Sequence, residues 1–158
     1  MVIAVPDWLP ESALTYLAHT TAGHPIRVLA RAKGCHASTV LRQVRKVEAL
    51  RDDPLIDEAM ERMCRTYADE FLDPSTLREV STMPKAAAKP GAAPESRIER
   101  EARRILRRLC EKGAFLAVAP EMEKAVVMRE VVPGRQNRIA VVERDVAHAF
   151  ALQEWIAC

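Results

Sequence analysis

Residues 26–50, IRVLARAKGCHASTVLRQVRKVEAL, decide how this chain is read. The stretch predicts two short helices about a glycine turn. Ala30 and Gly34 lie four residues apart, as a helix-turn-helix requires. A small residue lets the second helix cross closely, and glycine accepts the left-handed backbone of the turn. Beyond the turn, Val40, Val44 and Val47 share one helical stripe, and Ser38, Arg42, Arg45 and Lys46 fall largely away from it. An apolar inner face with a basic, hydrogen-bonding outer face suits a helix that lies in the major groove of DNA.

Local charge supports that reading where net charge does not. The whole chain carries only +2. Residues 27–51 hold seven Lys/Arg against Glu48 alone, a balance of +6, and residues 52–79 hold nine acids against three Arg, a balance of −6. A clustered basic face beside an acidic segment makes a local positive potential that the total conceals. A charge run by itself is more often a solvated helix face; joined to the turn pattern, it favours DNA contact.

Working outward, residues 11–20 (ESALTYLAHT) predict a first helix with Leu14, Leu17 and Ala18 inward. The second helix follows Pro25, and the third runs from Ala37 to Leu50. The DDP at 52–54 stops and restarts the chain, and residues 55–67 form a fourth amphipathic helix. A short turn is expected near residues 74–80. Residues 81–95 (STMPKAAAKPGAAPE) are rich in Pro and Ala and offer almost no large apolar side chain, so they read as a flexible linker. Beyond it, residues 95–112 predict a strongly amphipathic helix, with Ser96 as cap, Glu99 three residues on and Gly113 as stop. Strands are expected at 114–119, 124–132 and 138–142, with residues 133–138 (PGRQNR) as a turn, and a helix over 143–157 closes the chain. The expected fold is mainly α: a helix-turn-helix bundle over residues 1–80, and a small α+β winged-helix-like module over 96–158.

Several function classes fit poorly. No apolar run is long enough to span a bilayer, and the start MVIAVPDWLP lacks the basic region of a secretory signal. Cys35, Cys64, Cys110 and Cys158 are scattered without the spacing of a zinc site, which points to a cytoplasmic chain with reduced thiols and no metal or other cofactor. There is no glycine-rich phosphate loop and no HExxH pattern. His19, His24 and His148 read as ordinary histidines, and Asp52 and Asp53 beside Pro54 read as a turn and cap. No catalytic site is expected.

The block GCHASTVLRQVRKVE resembles the second half of resolvase- and phage-repressor-type helix-turn-helix units. More widely, VPDWLPESALTYLAHT, ARAKGCHASTVLRQVRKVEALRDDPLIDEA, RRILRRLCEKGAFLAVA and ALQEWIAC resemble an alphaproteobacterial family of helix-turn-helix transcription regulators. That family includes activators of gene transfer agent clusters. The resemblance implies transcription control, and it implies further segments beyond the position of Cys158, so the chain reads as a fragment of a longer protein.

Individual roles follow from position. Arg42, one turn into the third helix, has the planar fork that suits guanine O6 and N7, and is the leading base-contact residue. Gln43 has the groups to read adenine but sits more laterally. Ser38 and Thr39 place hydroxyls in the first turn, for a phosphate or base edge or for capping. His36 stands at the helix start, where capping is favoured over phosphate contact. Arg45 and Lys46 lie deeper and are expected on the phosphate backbone, and Arg27 and Arg31 on the preceding helix are expected to clamp phosphates. Double-stranded DNA is thus the expected partner, bound by a monomer or weak dimer. The competing reading is an adaptor that acts on RNA polymerase or another regulator. It would work through the acidic 52–73 segment or the face of Arg100, Arg104, Arg107 and Arg108.

Overall fold

A computed structural model describes residue 6, residues 8–68 and residues 97–157. Among them are six helices and one three-stranded antiparallel sheet, so the fold is mixed, mostly helical with a small β component. The expected linker at 81–95 and the turn near 74–80 lie outside the described residues. The chain divides into two compact units. The first takes the described residues before Pro90 together with those from Ala151 onward, and the second takes those between Gly91 and Phe150.

The first unit holds α1 (Glu11–Thr20), α2 (Ile26–Lys33), α3 (Ala37–Leu50) and α4 (Pro54–Tyr67). α1 packs chiefly on α3, α2 also packs on α3, and α4 lies against α1. The core is aliphatic because the buried stripes are: Leu14, Leu17 and Ala18 from α1, Leu29 and Ala30 from α2, Val40, Val44 and Val47 from α3. Leu55, Ile56, Ala59, Met60 and Met63 extend it from α4. The β-branched valines of α3 have few rotamers to lose on packing, which suits them to fix the helix on which α1 and α2 pack. Asp53 starts α4, accepting from the Leu55 and Ile56 amides at 2.9 and 3.4 Å, with Pro54 in the first turn, where its missing N–H costs nothing.

Gly34 ends α2 at φ +64°, and the Cys35 amide returns to the Ala30 carbonyl at 3.0 Å. A Cβ at Gly34 would meet nothing within 4 Å. The need for glycine is therefore conformational and not steric. Gly34→Ala is expected to cost the first unit about 1–2 kcal/mol, and Gly34→Asn distinctly less, since Asn tolerates the left-handed region. Urea denaturation followed by tryptophan fluorescence checks this, because Trp8 and Trp155 both belong to the first unit. An alanine variant as stable as the parent would contradict it.

The second unit holds α5 (Arg97–Leu109), β1 (Ala114–Ala117), β2 (Lys124–Val132) and β3 (Arg135–Glu143), and most of α6 (Arg144–Leu152). The strands pair in the order β1-β2-β3, with Ala117 opposite Val126 and Val126 opposite Val141. α5 lies against all three strands and buries Ile98, Ala102 and Ile105, while Ala125, Val127 and Val142 are the buried sheet residues. From α6, Val146, Ala147, Ala149 and Phe150 are fully buried.

Several boundaries differ from the sequence expectation; β1, expected to run to residue 119, ends at Ala117. The turn between β2 and β3 is only Pro133–Gly134, with Gly134 at φ +80°, so Arg135 to Arg138 are strand and not turn. α5 ends at Leu109, short of Lys112. Gly113 instead enters β1 at φ +76°, where a Cβ would press on the Glu130 carbonyl at 3.0 Å. α6 stops at Leu152, well before Ala157, and the tail after it groups with the first unit: Gln153 donates to the Trp8 carbonyl, and Glu154 pairs with Lys46.

Candidate nucleic-acid interface

The seven basic side chains of residues 27–51 sort into two sets. Three are committed within the unit. Lys33 is the most deeply so: its side chain is 4% exposed, and its Nζ meets Glu11 Oε1 at 2.8 Å, Thr15 Oγ1 at 2.6 Å and Gln43 Oε1 at 2.8 Å. Three donors meet three acceptors, which is what a buried ammonium needs. Arg51 donates to the Tyr16 hydroxyl at 2.9 Å and to Asp57, and its guanidinium lies over the Tyr16 ring. Hydrogen bonds to Tyr16 and then Asp57 hold its proton more tightly than usual. Lys46 is paired with Glu154.

The other four are Arg27, Arg31, Arg42 and Arg45. All are exposed, and among the described residues none makes an ion pair. Arg27 and Arg31 stand one turn apart on the side of α2 opposite Leu29 and Ala30. Arg42 and Arg45 share with Ser38 the outer face of α3, opposite Val40, Val44 and Val47. Guanidiniums without an ion pair among the described residues, on two consecutive helices, form a positive surface.

The turn residues are used locally. His36 is the N-cap of α3: its Nδ1 accepts from the Ser38 amide at 3.3 Å and lies 2.7 Å from the Ser38 hydroxyl. The ring therefore supplies the acceptor that orphan amides at a helix start require, and the Ser38 hydroxyl is turned toward it. Thr39 is half-buried, its amide bonded to the His36 carbonyl at 2.9 Å. Gln43 does not join the outer set. Its Oε1 already accepts from Lys33 and, at 3.2 Å, from Thr15, whereas a bidentate contact to adenine needs both ends of the amide.

Two structural residues carried no signal in the charge count. Lys33 could have been found, since it falls on the same α2 stripe as Ile26, Leu29 and Ala30. Arg144 could not. It is 8% exposed and donates from Nη1 to the carbonyls of Ala119, Pro120 and Met122 at 2.6, 3.3 and 2.5 Å, binding the β1–β2 connection to the start of α6. Among the described residues no group of His, Cys, Asp or Glu is placed to hold a metal ion, and no helix is long and apolar enough to cross a membrane.

No protein-family model, curated protein or solved structure matches this chain.

Proposed function

We propose that this chain is a sequence-specific DNA-binding transcription regulator, in which α2, the Gly34 turn and α3 act as a helix-turn-helix. α3 enters the major groove, and α2 crosses the backbone. The observation that carries this reading is the division of the basic side chains. Lys33, Lys46 and Arg51 have partners inside the first unit, while Arg27, Arg31, Arg42 and Arg45 are exposed and make no ion pair among the described residues. On this reading Arg42 addresses a guanine edge, Arg45 meets a phosphate beyond it, and Arg27 and Arg31 clamp the strand from α2. The second unit, with its β2–β3 hairpin beside α5, is read as a winged-helix-like module. The resemblance of the sequence to regulators of gene transfer agent genes points to an activator of phage-like genes, working at the nucleoid as a monomer or weak dimer.

Enrichment of duplexes from a random pool, followed by anisotropy titrations at several salt concentrations, tests the proposal. Arg27→Ala and Arg31→Ala should each weaken binding to the selected duplex and to a scrambled one alike. Each loss should flatten the slope of log affinity against log salt by about 0.9. If no duplex is enriched and neither binds at low salt, the adaptor reading replaces this one.

A further inference from the structure

We infer that the arginine face of α5 is a second polyanion site, one that grips the phosphate backbone of double-stranded DNA without reading its bases. The inference concerns the second unit and does not depend on how α3 contacts DNA.

Every cation of α5 is an arginine. Arg100, Arg103, Arg104, Arg107 and Arg108 recur at i, i+3, i+4, i+7 and i+8, a single stripe that ends at Glu111. The opposite side of the helix is the buried one, formed by Ile98, Ala102 and Ile105. All five arginines are exposed, and together with Glu111 they line a shallow depression. Residues 97–112 hold seven Lys/Arg against three Glu, a balance of +4.

The flanks of the stripe are anchored. Arg104 donates to the Val141 carbonyl at 3.1 Å and pairs with Glu101 at 2.5 Å. Arg108 pairs with Glu111 at 3.0 Å, and Arg129 of β2 reaches the same carboxylate at 2.6 Å. These two arginines, Arg108 first, hold the Glu111 carboxyl below its ordinary range. The centre of the stripe is different. Arg100 and Arg107 make no ion pair among the described residues. Arg100 and Arg104, Arg103 and Arg107, and Arg104 and Arg108 stand four residues apart, where like charges weaken a helix. Among the described residues, the central pair has no ion pair to offset that repulsion. A polyanion laid along the stripe would supply it.

The choice of arginine favours phosphate over a carboxylate-bearing protein surface only in combination with geometry. A guanidinium offers two parallel donors to two phosphate oxygens, and a straight row one helical stripe wide presents them in series, as a regular backbone presents its phosphates. No apolar anchor of the kind that protein interfaces centre on lies within the stripe. Sequence readout is not expected, because a row that contacts only phosphates positions a duplex and carries no base information.

The test uses the full chain, with Arg100→Gln and Arg107→Gln combined, and a second variant with Lys at both positions. Binding to a labelled duplex of scrambled sequence is titrated across salt. The Gln pair should flatten the log-log salt slope by about two, and the Lys pair should keep it, since both retain or lose whole charges. The same flattening is expected when Arg42→Ala is already present. Melting should be no lower for the Gln pair than for the parent. A Gln pair with the parent's slope overturns the proposal, as does a Lys pair as impaired as the Gln pair. A Gln pair that binds the duplex normally but no longer binds polyglutamate overturns it in favour of an acidic protein partner. If the parent shows no preference for any selected duplex and the Gln pair still loses slope, the reading of α3 fails and this proposal stands.

Discussion

Lys33→Met is expected to lower the stability of the first unit by about 2–3 kcal/mol. Methionine keeps the length and apolar stem of the side chain, so the loss isolates the ammonium from any change in packing. The ammonium of Lys33 joins three helices: its own α2, Glu11 and Thr15 of α1, and Gln43 of α3. Without it, the Thr15 hydroxyl still reaches the Glu11 carbonyl at 2.8 Å, and the half-exposed Glu11 carboxylate can return to water. The loss is therefore smaller than for a fully enclosed ion pair. The Gln43 oxygen loses its shorter bond and keeps only the 3.2 Å contact from the Thr15 hydroxyl, whose single proton also serves the Glu11 carbonyl. Urea denaturation monitored by tryptophan fluorescence measures the effect. An unchanged midpoint would mean that the burial cost of the ammonium equals what its three bonds return. Because the network also fixes α3 against α1 and α2, the variant should lose affinity for DNA as it unfolds and not before.

Much of this fold was legible because its apolar periodicity is clean. α1 and α3 have the bounds expected from the stripes of Leu14, Leu17 and Ala18 and of Val40, Val44 and Val47, and Asp53 and Pro54 start α4 as a cap and first-turn proline should. The order of helix, three strands and helix in the second unit was legible for the same reason. Periodicity fails where both faces of an element are wet. Residues 135–138 are exposed throughout, so nothing in their pattern distinguishes strand from turn, and only the two-residue loop at Pro133–Gly134 sets their pairing. The early end of α6 was illegible for a different reason. Glu154 adopts φ +59°, a conformation rare for a residue other than glycine, and the tail around it is fixed by Trp8 and Lys46, more than a hundred residues away.

The candidate interface was legible in outline and coarse in detail. Counting charge over residues 27–51 gave a basic surface of seven side chains, but charge counts do not see burial. Lys33 proves to be internal, Arg51 belongs to a contact with Tyr16 and Asp57, and Lys46 faces Glu154. Gln43 lies on the flank of the valine stripe, close enough to the interior to serve Lys33. What remains is a smaller and sharper set, with Arg42 and Arg45 on α3 and Arg27 and Arg31 on α2.

Arg42→Ala is the substitution expected to affect recognition most. Arg42 stands on the outer face of α3 one turn beyond Ser38, exposed and with no ion pair among the described residues, so its removal leaves the fold untouched. A bidentate arginine–guanine contact carries about 1–3 kcal/mol of discrimination against a wrong base, roughly fivefold to 150-fold in affinity. Beyond the one-charge loss that both duplexes share, the effect should fall on the selected duplex and relax preference at one base pair. Arg45→Ala, acting through phosphate, should weaken the selected and scrambled duplexes equally. The most direct measurement is therefore the ratio of affinities for the selected and scrambled duplexes, taken at one fixed salt concentration for the parent and for Arg42→Ala. DNA reading by α3 predicts that the ratio collapses by about fivefold or more in the variant while scrambled binding loses only the share due to one charge; a variant that keeps the parent's ratio would contradict it.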